Sequence, residues 1–330
     1  MNSAKVELHL HLDGSLNLKW AYEKALQRGV IEEGTSFTEF YDTLYDFKDQ
    51  PFKKFDYVCG CLQHYEDLEE ATYLLTKRLY ELGLIYAEIR FASQQHCLAG
   101  LSQLEACEAV CAGAKRGMDE FDIKIGVINC LMHKGDSAKV NEAENIETVK
   151  ATKAMLGKGV VGIDLAGFEI NCPFEEYESI IRMAVSEGIP VTCHAGEFGP
   201  GKNVTMAYSW GANRIGHGIH CIDDEEVLKE VIEKRIPLEI CVTSNTGNQW
   251  ANVTYATHPI RDLIKMGVNV NINTDNQMFS RTDLNHEYNL LRMLGLTEEE
   301  LYQCTLNSID AAFVDDATKA ELRKRLEAEK

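Results

Sequence analysis

His9-Leu10-His11 puts two imidazoles at i and i+2, a spacing that on a β-strand turns both side chains to one face. Two neutral nitrogen donors on one face can share a metal ion. Alone, such a pair suits satisfied polar residues as readily as ligands. Residues further along shift the balance. His194 in VTCHAGE, His217 in RIGHGIH and Asp275 in NINTD each fall at the C-terminal end of a short β-branched run. If those runs are parallel strands, all five side chains converge on one end of the sheet. Such a set can hold a divalent ion and leave a position for water. Glu197, three residues after His194, could shuttle a proton beside a metal-activated water. By itself it reads as an ordinary loop carboxylate.

The elements that must position these residues alternate. Apolar, β-branched runs occur at VELHL (6–10), LIYAEIR (84–90), IGVINCL (125–131), VGIDLAG (161–167) and IPVTCH (189–194), then at RIGHG (214–218), PLEICVT (237–243) and VNVNINTD (268–275). Between them lie helix-like stretches such as 104–121, 146–157, 175–187 and 223–234. Strand alternating with helix signals a parallel sheet. Eight such strands predict a closed (β/α)8 TIM barrel, whose active site belongs at the C-terminal mouth. The interval from Gly14 to Leu82 exceeds an ordinary crossover, so extra helices are expected over that mouth, with PFKKFDYVCGCL as a lid. The acidic tail DDATKAELRKRLEAEK predicts a surface helix. No linker or repeat interrupts the chain, and residues 1–330 are expected to form a single barrel domain.

Composition narrows the function classes. Of 330 residues, 45% are hydrophobic and 26% charged, with six prolines, which suits a globular chain with a sizeable core. Fifty-two acidic residues against thirty-three basic ones give a formal charge of −19. That field repels nucleic acid and anionic membrane surfaces. The start, MNSAKVELHLHLDG, has no apolar signal core, and no run reaches the roughly 18 apolar residues of a membrane span. A cytoplasmic location is the expectation. The eleven cysteines lack paired CxxC spacing in a chain too long for a stapled mini-fold, so reduced thiols are expected. Cys130, Cys193 and Cys241 sit in apolar runs, where a thiol behaves as a small hydrophobe.

Six motifs, KVELHLHLDGSL, VGIDLAG, VTCHAGE, RIGHGIH, EICVTSN and INTDN, resemble in order the successive motifs of the adenosine deaminase family of the amidohydrolase superfamily. The resemblance runs from Lys5 to about Tyr288. It implies a metal-dependent hydrolase that converts adenosine to inosine and ammonia, and takes 2′-deoxyadenosine in the same way. One zinc ion per chain would be held by His9, His11, His194 and Asp275, with His11 also among the substrate contacts. His217 would orient and stabilise a zinc-activated hydroxide attacking C6, while Glu197 protonates N1. Gly167 would offer its N–H to N3, Asp13 would take the ribose 5′-hydroxyl, and Phe52 and Phe55 would shield the base. Either phenylalanine could equally pack between lid helices. The partner implied is a small purine nucleoside; oligomeric state stays open.

Three positions depart from the family pattern. Asn276 replaces the second of two consecutive aspartates, Gln277 stands where proline is common, and Phe168 follows Gly167 where a polar residue is common. In that family the second position contacts purine N7, an acceptor, and the resemblance implies that the Asn276 amide would donate to it at any pH. Rival readings are an adenine deaminase, which resembles HLEG where this chain has HLDG, and a deaminase of N6-methyl-AMP, which resembles HLNG. A catalytically silent nucleoside-binding barrel is a further alternative. The cytidine-deaminase signature pairs H-x-E with P-C-x-x-C. His64-Tyr65-Glu66 fits the first half, but the second occurs nowhere.

Overall fold

Eight short strands, almost wholly buried, build one sheet in sequence order, β1 to β8, with every neighbouring pair parallel. The computed structural model describes residues 4–46 and 53–328. The strands are β1 (Lys5–His11), β2 (Leu84–Phe91), β3 (Lys124–His133), β4 (Val160–Gly167), β5 (Val191–Ala195), β6 (Arg214–His217), β7 (Leu238–Ile240) and β8 (Val270–Ile272). All eight expected runs are strands. The barrel closes where Leu10 bridges to Asp275, with the His11 N–H donating to the Asp275 carbonyl and the Asp275 N–H to the His9 carbonyl, both at 2.9 Å.

Helices return the chain between strands, and their starts follow capping chemistry. Ser102 and Thr297 each form a reciprocal capping box with a glutamate three residues on, which satisfies N–H groups that a first turn leaves unpaired. The long first connection holds four helices: α1 (Leu18–Gln27), α2 (Phe37–Tyr45), α3 (Lys53–Gly60) and α4 (Tyr65–Glu81). Of these α4 is the crossover helix. α2 and α3 reach the C-terminal mouth, where the Tyr45 hydroxyl donates to the Met278 carbonyl at 2.7 Å and Phe55 meets Phe279 edge-on at 4.8 Å.

Several ends differ from expectation, and the last run, expected over 268–275, is strand only at Val270–Ile272. PLEICVT is strand only as far as Ile240, and a short helix begins at Val242. The C-terminal helix, Asp316–Ala328, is more than a surface element: Leu322 and Leu326 are buried with Val6, Leu8, Ile85 and Tyr86 under the N-terminal end of the barrel. All eleven cysteines are free thiols. Among the described residues, no helix is long and apolar enough to cross a membrane.

Candidate active site

Strand ends deliver the expected ligands. His9 and His11 alternate with Leu10 on β1, His194 lies near the end of β5, and Asp275 follows β8 by three residues. Their ligand atoms all lie within 4.8 Å of one another. Asp275 Oδ1 is 3.3 Å from His11 Nε2 and 3.5 Å from His9 Nε2. Tetrahedral donors at bonds of roughly 2.0–2.1 Å stand about 3.4 Å apart, so this pair of spacings suits an ion. Asp275 and His217, at φ 65° and 62°, both occupy the left-handed region. Non-glycine residues there carry strain that the surrounding fold must hold.

The histidines are tuned from behind. His9 Nδ1 lies 2.7 Å from Glu239 Oε2, and His194 Nδ1 lies 3.0 Å from Asp164 Oδ2. A carboxylate at Nδ1 keeps the ring proton there and leaves the Nε2 lone pair to coordinate. His9 Nε2 is buried without a hydrogen-bond partner, as an atom reserved for an ion should be. Arg90 ties the two carboxylates together, donating to Asp164 Oδ2 at 2.9 Å and to Glu239 Oε2 at 2.8 Å, and Arg214 also donates to Glu239. Burial pushes both carboxyls up. The charges of His194 and Arg90 at Asp164, and of Arg90 and Arg214 at Glu239, outweigh it and hold both below the carboxylate range. The donor set of three histidines and a carboxylate therefore fits a borderline divalent ion such as zinc.

Glu197 has the opposite environment. Burial, then the charges of Asp275 and Glu169, raise its carboxyl well above the usual value, which favours the proton-bearing form. Its Oε2 is 3.5 Å from His217 Nε2. Burial, then His9 and His194, push His217 far down, which leaves a neutral imidazole. The Asn245 amide nitrogen is 3.0 Å from His217 Nδ1 and its oxygen 3.3 Å from His258 Nε2. With Asn245 donating, the His217 proton belongs on Nε2. The loop after β5 is itself held by Glu169, whose carboxylate accepts from the N–H groups of Gly196, Glu197, Phe198 and Gly199 and from the Asn203 side chain, at 2.7 to 3.1 Å.

The remaining expected contacts surround this centre. Asp13 is buried and raised to about 6, chiefly by burial; its Oδ1 accepts from the Gly14 N–H at 2.9 Å. Asn276 sits over Gly14 so closely that any Cβ at position 14 would collide with its amide oxygen, which explains glycine in HLDG. Gly167 ends β4 at φ 105°, and a Cβ there would meet the His133 carbonyl at 2.8 Å. Phe55 packs on Phe279; Phe52 lies outside the described residues.

The family model described as adenosine deaminase matches residues 4–329. The chain belongs to the adenosine deaminase family. It is 37% identical over 327 residues to the adenosine deaminase of Haemophilus ducreyi, covering 96% of this chain and 94% of that one. Among solved structures it is similar to a zinc-bound amidohydrolase from Burkholderia ambifaria, with a TM-score of 0.88, 25% identity and coverage of 99% and 90%. It shares its fold with the adenine deaminase of Arthrobacter aurescens, with a TM-score of 0.89, 24% identity and coverage of 99% and 98%.

Sequence reading located the residues at the mouth of this family barrel and missed those behind them. Asp164, Glu239 and Arg90 stand inside apolar strand runs, VGIDLAG, PLEICVT and LIYAEIR, and a charge there is itself a signal because burial requires a partner. Glu169 had no such local mark, and Asn245, although it ends the motif EICVTSN, carries no charge that would signal a buried partner.

Proposed function

We propose that this chain hydrolyses adenosine and 2′-deoxyadenosine to inosine and 2′-deoxyinosine, releasing ammonia, with one zinc ion held by His9, His11, His194 and Asp275. The observation that carries the reading is the meeting, at one barrel mouth, of four ligand atoms within 4.8 Å and a buried Glu197 3.5 Å from His217. When bound, zinc supplies a Lewis acid able to bring the pKa of water from 15.7 to about 7.

The chain's own residues divide the rest. Glu197 gives its proton to N1, which makes C6 electrophilic and lowers the cost of lost aromaticity as oxygen adds. His217 donates from Nε2 to the attacking oxygen and fixes its approach. Asp13 accepts from the 5′-hydroxyl, Gly167 N–H meets N3, and the Asn276 amide meets N7. Phe55 shields the base from water.

A substrate panel tests this. Adenosine, 2′-deoxyadenosine, adenine, AMP and N6-methyl-AMP are incubated with purified protein while absorbance loss and ammonia release are followed. The two nucleosides should turn over fastest, and the 5′-phosphates should be poor substrates because Asp13 repels them. Faster turnover of adenine or N6-methyl-AMP would overturn the nucleoside reading.

A further inference from the structure

Among the described residues, a second group of ligand-type side chains lies beside the first: an Asp13 carboxylate oxygen, Cys59 Sγ and a ring nitrogen of His96 are within 4.8 Å of one another, and all three side chains are buried. They come from three separate elements, the turn after β1, the lid helix α3 and the turn after β2. Cys59 Sγ is 3.8 Å from Asp13 Oδ2. Tetrahedral thiolate and carboxylate donors at about 2.3 and 2.0 Å stand roughly 3.5 Å apart.

His96 supplies the independent observation. Its Nδ1 is 3.1 Å from the Leu62 carbonyl, an acceptor that requires the ring proton on Nδ1. The lone pair is then on Nε2, which is fully buried and has no hydrogen-bond partner. That is how a ligating histidine is usually held, whereas a buried acceptor left unmatched costs stability. The thiol meanwhile rests on Gln95 Oε1 at 3.2 Å, an arrangement that a metal would replace.

We propose that Asp13, Cys59 and His96 form a second, inhibitory site for a thiophilic divalent cation such as zinc. Cation binding releases the Cys59 proton to solvent and joins the thiolate, the His96 Nε2 lone pair and the Asp13 carboxylate, leaving a fourth position for water. The consequence rests on the reading of Asp13 as the ribose contact: a cation on Asp13 removes the acceptor for the 5′-hydroxyl and ties the lid helix to the barrel, so it excludes the nucleoside.

Cobalt titration of the zinc-loaded protein tests the site apart from activity. The catalytic ligands include no cysteine, so a thiolate-to-cobalt charge-transfer band reports the new site. A second equivalent should bind with that band, and Cys59→Ser and His96→Asn should each abolish it. Cys241→Ser should keep it; Cys241 also lies near His9 and His217 and is the control. Excess zinc should raise the apparent KM for adenosine about tenfold at roughly ten times the site's dissociation constant, and this rise should vanish in Cys59→Ser. A total of one metal without the band, or a band that survives in Cys59→Ser, overturns the second site. One metal with a Cys59-dependent band supports it and overturns the histidine-centred catalytic site instead.

Discussion

At Glu197 the environment decides the chemistry. Burial raises its carboxyl well above the usual value and favours the proton-bearing form, so kcat/KM should fall as pH rises through that raised pKa, where the donor is lost. Glu197→Gln cannot donate as an acid and should lower kcat roughly 10²-fold or more while keeping fold and metal. Its profile should lack the alkaline limb. A near-normal kcat, measured with metal content and circular dichroism unchanged, would assign N1 protonation elsewhere. Asn276 is one of the three positions where the chain departs from its family's pattern. If its amide donates to N7, 7-deazaadenosine, with C–H there, should lose about 1–3 kcal/mol of transition-state binding. Asn276→Ala should slow adenosine turnover and largely close the gap between the two substrates, a coupling that the mutant-by-substrate cycle isolates. Full discrimination in the variant would remove Asn276 from the base. These residues were legible because each stands at a strand end in a short motif. The roles of Asp164 and Glu239 were not, because they depend on which histidine the closed barrel places against each carboxylate.

Among the elements, the loop after β5 shows what sequence patterning conceals. Strands were legible as apolar runs, and helices by period and caps. The end of β7 was misplaced because VT after EIC continues the β-branched pattern, although there the chain turns into the helix that carries Ser244 and Asn245. Nothing in the sequence near Glu169 says that its carboxylate gathers four successive N–H groups some 27 to 30 residues away. Such charge-assisted bonds are about twice as strong as neutral ones, and they fix the backbone from which Glu197 projects. Glu169→Gln keeps the size but removes the charge and turns an NH2 toward donors. It should lower kcat more than it raises KM and speed amide exchange at 196–199. Because Glu169 acts through Glu197, adding Glu169→Gln to Glu197→Gln should cost little further kcat. Additive losses in that cycle would make Glu169 a general structural support.

For the whole molecule the decisive feature is the seam between β8 and β1. Other neighbours are joined by runs of paired residues, whereas this pair has one bridge, Leu10 to Asp275. Side chains sew the rest: Asn273 Oδ1 accepts from the N–H groups of Leu8 and His9 at 2.7 and 3.1 Å, and Glu7 Oε1 accepts from the Thr274 N–H at 2.8 Å. These contacts join residues more than 260 positions apart, so neither periodicity nor local motif reveals them. The proposed ion would straddle the same seam, with His9 and His11 on one side and Asp275 on the other. Chelation should then do more than abolish activity. An ion bound only by the folded chain adds about 4.1 kcal/mol when its free concentration is a thousand times its dissociation constant, so Tm should drop on its removal. Exchange should rise most at 5–11 and 270–275 and least along β2 and β3, whose pairing is continuous from Tyr86 to Phe91. Zinc should restore both Tm and protection. A metal-free protein whose exchange rises evenly around the barrel would mean that the ion stabilises the fold without closing it.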